Sequence, residues 1–314
     1  MNHVVENSIE KSWDLWRDCL IGDDQNSIIQ QIYLINWDYA IFLIINESRK
    51  IKSEKNPDNP PINAPINRFI NKAFFISQSA AIRRMVDESK DGLTGKKGVY
   101  SLIALIKNIK NKGLELTREK YLELRKMPYD YSDILEKRRI FFTEQSIKGR
   151  GAFFVPRELD CESIENAHKE FDRLSKKSDK ERKPDDVICD EIFDLFLKKL
   201  EKCKSIKKYV DKYIAHSATP ESRKYENADQ LKITLKQILE AQQIIYMVAE
   251  WLAGFLFAEG HIPLILENPN HFDYLDVPLI ANNDELERIK KTFNEFRKKT
   301  EEWAAKVQTV ILPD

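Results

Sequence analysis

Glycine is scarce in this chain, at 9 residues in 314. Turn-dense β folds draw on glycine wherever the backbone needs positive φ, so the scarcity argues against a loop-rich sheet protein. Cysteine is sparser still. Cys19, Cys161, Cys189 and Cys203 form no C-x-x-C pair and have no histidine at zinc-finger spacing. This excludes a zinc knuckle or a disulfide-stapled scaffold, and reduced thiols in a cytoplasmic protein are expected. A charge surplus is missing too, because 51 basic residues meet 51 acidic ones. No global field therefore draws the chain to nucleic acid or membrane, and any such partner must be met by a local patch.

Long apolar runs are also absent. The most apolar stretch, Ile244 to Ala258, is interrupted by Glu250 and falls short of the roughly 20 residues that span a bilayer, so no membrane partner is expected. The N-terminal segment carries Glu6, Glu10, Lys11 and Asp14 without an apolar core, and no secretory signal is expected. P-loop, H-E-x-x-H and G-x-S-x-G motifs are missing, and Gly149-Arg150-Gly151 lacks the third glycine of a dinucleotide fingerprint. Nucleoside triphosphate hydrolysis and zinc or serine hydrolase chemistry are disfavoured, and no cofactor or metal is expected.

What is present is charge and helical period. Charged residues make up 32% of the chain, a composition of long solvated helices, and the fold class expected is all-α. Ile9, Trp13, Trp16 and Leu20 mark a first helix. Asp23 or Asp24 then opens a second, predicted to about Asn46. Four prolines between Lys52 and Pro65 make a connector, and Asn63 with Pro65 starts a helix toward Glu88. Further helices are predicted over Val99 to Lys112, from Thr117 to about Met127, from Asp160 to about Lys177, from about Asp185 to Ala215, from Asn227 or Asp229 to Gly260, and from Asp284 to about Val307. Between Pro128 and Leu159 the period fails, which predicts an inserted loop or small hairpin. The expected organisation is a helical bundle over 1–260, with its insertion at about 128–159, and a loop plus C-terminal helix over 261–314 packed on it.

Chemistry concentrates at one helix exit, Val210-Asp211-Lys212-Tyr213-Ile214-Ala215-His216-Ser217. A histidine there titrates near neutral pH and can take or give a proton. An ordinary capping histidine explains the same residue. Between Lys198 and Lys212 seven lysines face two acids, with Tyr209 and Tyr213 interleaved. Such a face can track a phosphate backbone and stack bases, although solvated helices look alike. His261, His271, Asp273 and Asp276 share one irregular segment, but their spacing matches no metal motif.

The segment Asp211 to Ser217, the earlier Ala81-Ile82-Arg83-Arg84-Met85-Val86-Asp87 and the aromatic helix around Trp37-Asp38 together resemble the HEPN (higher eukaryotes and prokaryotes nucleotide-binding) superfamily. Within it the chain is most similar to abortive-infection proteins of the U-type, over about residues 10 to 255. The resemblance implies a HEPN-like bundle and a metal-independent ribonuclease of a bacterial defence or toxin system. In family members that cut RNA, an arginine followed by a polar residue precedes the histidine by four to six positions. Here Asp211 fills the polar place, but Val210 stands where the arginine belongs. Arg83 or Arg84 is the expected substitute cation, with His216 as acid/base and Asp211, Lys212, Lys208, Tyr213 and Ser217 as positioning and substrate-binding groups. On a regular helix Asp211 and His216 lie about 140° apart, at 100° per residue. They converge only where the helix loosens before Ala215.

RNA or a nucleotide is thus the expected partner, in a homodimer suggested by the family and by the all-round apolarity of Ile244 to Phe257. The alternative is a non-catalytic HEPN-like module that binds a nucleotide, RNA or a partner protein.

Overall fold

The computed structural model describes residues 8–55, 63–88, 91–149, 151, 153–215, 219, 221–222 and 233–259, and separate positions between 283 and 298. Two compact units divide the chain, Met1–Ile265 and Leu266–Asp314. In the second, the described residues are all helical and carry local pairs such as Lys290–Glu287 at 2.6 Å. The first is built from helices α1 (Ile9–Ile21), α2 (Ile28–Lys55), α3 (Ala64–Met85), α4 (Leu102–Asn111), α5 (Arg118–Leu124), α6 (Ser132–Ile147), α7 (Cys161–Ser175), α8 (Asp190–Leu200), α9 (Lys204–Tyr209) and α10 (Leu235–Phe257). Among the described residues there is no strand, only an isolated bridge between Thr117 and Val187. The expected all-α class holds, and the four cysteines are free thiols.

Side-chain caps set several helix starts, at Asn63 and Thr117 where the sequence places them and at Ser101 two residues after the predicted start at Val99. The Asn63 carboxamide accepts from the Ile66 amide at 3.0 Å, and Ser101 and Thr117 do the same for α4 and α5. Each cap satisfies an amide that the first turn leaves unpaired, an effect of about 1 kcal/mol. Ser178 and Glu181 form a capping box over a single 3₁₀ turn, Asp179–Glu181.

α10 is the central element. Ile238, Ile245, Val248, Leu252 and Leu256 are buried on it, and α1, α2, α3, α4, α7 and α8 all pack against it. Most of its apolar surface is therefore covered within one chain, with Leu239 and Met247 about half exposed. Within this core Gln242 donates to the Gln78 carboxamide at 2.6 Å, and Gln78 donates to the Ile35 carbonyl at 3.1 Å. One amide ladder thus ties α10, α3 and α2 together.

Three sequence expectations fail here. The stretch expected as a loop or hairpin contains α6, a 16-residue helix. Only Gln145 is buried on it, so no single apolar stripe was needed and none is visible. The helix predicted unbroken from Asp185 to Ala215 is instead α8, a 3₁₀ turn (Glu201–Cys203), α9 and a π-helical turn (Val210–Ile214). α2 also continues to Lys55, nine residues past its predicted end, because Glu47, Lys50, Lys52 and Glu54 are good helix formers on solvent-facing positions.

A buried ion-pair hub fixes α5, α7 and the segment after α7. The Arg118 side chain is fully buried, and its guanidinium meets Asp172 at 2.8 Å and Asp186 at 3.0 Å. It also donates to the His168 carbonyl at 3.1 Å and the Ser175 hydroxyl at 3.3 Å. All of its donors are satisfied, which is the condition under which a buried guanidinium is tolerated. Arg182 extends the network from Asp172 to Glu165. Removing the guanidinium strands the buried Asp186 carboxylate, while Asp172 keeps its pair with Arg182. Arg118→Ala is expected to lose about 3–5 kcal/mol of unfolding free energy, measured by urea denaturation; a loss below about 1 kcal/mol would contradict this assignment.

His168 sits in the same hub, buried, with Nε2 hydrogen-bonded at 3.1 Å to the Tyr129 carbonyl. Burial holds its pKa below the ordinary value of 6.5, although the Tyr129 carbonyl opposes the shift. The unfolded imidazole takes its proton near pH 6.5, whereas the folded one resists until lower pH. Stability should therefore fall as pH drops from about 7 through that window. A His168→Asn variant should show a flatter Tm profile between pH 7 and 5; equal slopes in both proteins would remove this role.

Candidate functional site

The site begins at the last turn of α3. Ile82 and Met85 are fully buried, which turns Arg83 and Arg84 away from the core. α3 packs on α9 and on the π turn. Across that contact Arg83 Nε donates to Asp211 Oδ1 at 3.1 Å, and Nη1 donates to Asp87 Oδ2 at 2.7 Å. Arg83 is thus held by two carboxylates, one on its own helix exit and one 128 residues away.

The loosening that the motif spacing calls for is present. In the π turn the Ala215 amide donates to the Val210 carbonyl at 2.8 Å, a bond between residues five apart. A π turn brings residues five apart into the relation that four apart hold on an α-helix. Asp211 and His216 have that spacing, but His216 and Ser217 lie outside the described residues. Val210, at the family's arginine position, is only 3% exposed and packs in the core. The resemblance's missing cation therefore has no room on this helix.

Arg84 behaves differently from its neighbour. It is exposed, and among the described residues it makes no hydrogen bond or ion pair. Together with Arg83 and Asp87 it lines a cleft of about 510 Å³, walled on the other side by Asp24, Gln31 and Tyr100. This volume lies within the range of small-molecule sites. Gln31 is buried, its Nε2 donates to the Asn26 carbonyl at 2.6 Å, and its Oε1 has no partner among the described residues. Burial and the nearby Cys19, Asp18 and Asp24 raise the Tyr100 pKa, which keeps its hydroxyl a neutral donor.

The remaining expected substrate contacts divide. Lys212 is engaged by the following segment, donating to the Ser222 carbonyl at 2.5 Å and its hydroxyl at 2.9 Å. Tyr213 stacks on Tyr209 with ring centroids 5.5 Å apart, and both rings are half-buried. Lys208 is exposed, as are Lys198, Lys199 and Lys202. The suggested ligand cluster His261, His271, Asp273 and Asp276 lies outside the described residues. Among the described residues, no group of three or more His, Cys, Asp or Glu side chains is arranged to hold a metal.

Sequence reading missed the cleft's far wall. Asp24 accepts from the Asn26 amide at 2.6 Å, a local Asx turn that reads in sequence as a helix cap alone. Gln31 and Tyr100 carried no motif at all.

Comparison of the chain with protein-family models, with curated proteins and with solved structures yields no match.

The pairing of Arg83 with Asp211 is testable by itself. Both side chains are about one-third exposed, so solvent weakens the pair, and a double-mutant cycle of Arg83→Ala and Asp211→Ala should give a coupling of about 0.5–1 kcal/mol. Strict additivity in urea unfolding would mean that the contact carries nothing.

Proposed function

We propose that this chain is a metal-independent ribonuclease of HEPN-like type in which α3 supplies the cation that the histidine motif lacks. The observation that carries the reading is the Arg83–Asp211 contact at 3.1 Å, which joins two of the three segments of the resemblance across 128 residues. His216 acts as the base that takes the proton of a ribose 2′-hydroxyl. The freed oxygen attacks the adjacent phosphorus, the bond to the 5′-oxygen breaks, and that oxygen leaves after gaining a proton. Products are a 2′,3′-cyclic phosphate and a 5′-hydroxyl end. Charge growing on the phosphoryl oxygens needs a cation that is not already neutralised. Arg84 meets that need, and Arg83 with Asp211 and Asp87 holds the turn beside it. The exposed lysines from Lys198 to Lys208 track the RNA backbone. A role in bacterial defence or toxicity, inside the cytoplasm, follows from the resemblance alone.

A second reading keeps the cleft and drops the cleavage. Its support is the burial of Val210, which leaves the histidine segment without its own arginine. The protein is then a module that holds a nucleotide or an RNA end beside Arg84.

End-labelled RNA incubated with the protein in excess chelator separates the two. Cleavage should persist without metal, His216→Ala should abolish it, and Arg84→Ala should reduce it by about 10²- to 10³-fold. Arg83→Ala should cost less, through lost positioning. Val210→Arg should lower stability instead of raising activity, because it buries an unpaired guanidinium. Undiminished cleavage by a folded His216→Ala protein would end the nuclease reading, and mononucleotide binding without cleavage would favour the module.

A further inference from the structure

The wall of the cleft opposite Arg84 carries hydrogen-bonding capacity that the described residues do not use. Asp24 and Gln31 grip the same residue from its two ends. One Asp24 oxygen accepts from the Asn26 amide at 2.6 Å, and Gln31 Nε2 donates to the Asn26 carbonyl at 2.6 Å. The two side chains are thereby held near each other, and both line the cleft. Asp24 is exposed, and its second oxygen has no hydrogen bond or ion pair among the described residues. Gln31 is 7% exposed, and its Oε1 is a buried acceptor without a partner there. The Asn26 contact fixes which end of the carboxamide this is, because a carbonyl accepts only from the nitrogen. An unpaired buried amide oxygen costs free energy that a ligand N–H recovers.

Resting on the reading of this cleft as a nucleotide site, we propose that it takes a guanosine phosphate, with guanine against Asp24 and Gln31 and the phosphate on Arg84. The free capacity of the wall is two acceptors, Asp24 Oδ2 and Gln31 Oε1, together with the second hydrogen of Gln31 Nε2. Guanine alone among the four bases offers the complement on one edge, two neighbouring donors, N1–H and the 2-amino group, beside the O6 acceptor. Adenine and cytosine set one donor beside a ring acceptor, and uracil sets one donor between two acceptors. Each would bring a lone pair against Asp24 or leave Gln31 Oε1 unmet. Tyr100, half-buried on the same wall, supplies a ring on which the base can stack.

The cleft, at about 510 Å³, has room for one nucleotide. Guanosine bearing a 3′-phosphate is a residue of RNA, and guanosine bearing a 5′-phosphate is a free nucleotide. Both present the same base edge and the same anion.

Calorimetric titration of the full chain with the four nucleoside 3′-monophosphates and with guanosine 5′-monophosphate tests the assignment. Guanosine 3′-monophosphate should bind about tenfold more tightly than its adenosine, cytidine and uridine counterparts, the discrimination of one good bidentate contact. Inosine 3′-monophosphate, which lacks only the 2-amino group, should lose most of that advantage. Asp24→Asn keeps an oxygen for the Asn26 amide but sets a donor against the guanine donors. The guanine preference should then vanish, while the other three nucleotides, relieved of a negative charge beside their phosphate, bind at least as well as before. Arg84→Ala should weaken all four alike and leave the preference intact. Tighter binding of the 3′- than of the 5′-phosphate identifies RNA as the source, and the reverse a free nucleotide. Equal affinity for the four bases overturns the guanine assignment and leaves the nucleotide cleft standing, as does an Asp24→Asn protein that keeps the preference. Absence of binding by any nucleotide overturns both.

Discussion

The Gln242–Gln78–Ile35 ladder is the constraint on which the site's geometry depends. Two carboxamides in an apolar core are tolerated when they pair with each other or with backbone, because a buried polar group left without any partner costs about 1–3 kcal/mol. That penalty makes the ladder specific. Rotating or sliding α3 by one residue would break the 2.6 Å contact to Gln242 and the 3.1 Å contact to the Ile35 carbonyl, and would also turn Arg83 toward the core in place of Ile82. Once Gln78 is fixed, Ile82 and Met85 must follow it into the core one and two turns later. Arg83 then faces α9 and Arg84 faces the cleft.

A second constraint acts from the other side of that contact. Between Ile192 and Val210 the buried positions are spaced by four, four, three, three and four, through Phe196, Leu200, Cys203 and Ile206. The two short steps coincide with the 3₁₀ turn Glu201–Cys203 and the entry to α9. A 3₁₀ turn overwinds the helix and a π turn unwinds it, so the second offsets the phase gained in the first. Val210 stays in the core while Asp211 comes round to Arg83. π turns inside helices are frequent at functional sites, and here the turn lies in the segment that carries the histidine motif.

How much of this was legible in the sequence follows from what each residue buries. Asn63 and Thr117 could be read as helix starts because a cap is a local event between residues three apart. α10 was legible as an apolar helix, but its apolarity suggested an external surface when six neighbouring helices account for it. α6 was invisible because it buries one polar side chain, leaving no period to detect. The broken helix before Ala215 read as continuous for the opposite reason, since its irregular turns preserve one apolar stripe. Arg83, Arg84 and Asp211 were identifiable as chemistry-bearing residues, but which arginine is paired depends on tertiary packing that no local pattern encodes. Arg118 and its two aspartates, 54 and 68 positions away, carried no signal at all.

The two adjacent arginines divide their labour on electrostatic grounds. Two carboxylates at 2.7 and 3.1 Å compensate the charge of Arg83 and fix its plane. A phosphate approaching such a group meets nearby negative charge as well as the cation, so the net attraction is small. Arg84 has no such compensation among the described residues and stands at the cleft. Its exposure leaves it mobile, and a long side chain loses about 2 kcal/mol of rotamer entropy when it closes on an anion. The fixed neighbour reduces that cost only indirectly, by holding the last turn of α3 against the π turn so that Arg84 starts from one backbone position. A paired arginine beside one that has no partner among the described residues thus fixes the backbone of the last α3 turn and leaves the second guanidinium uncompensated, which is the arrangement the proposed site calls for.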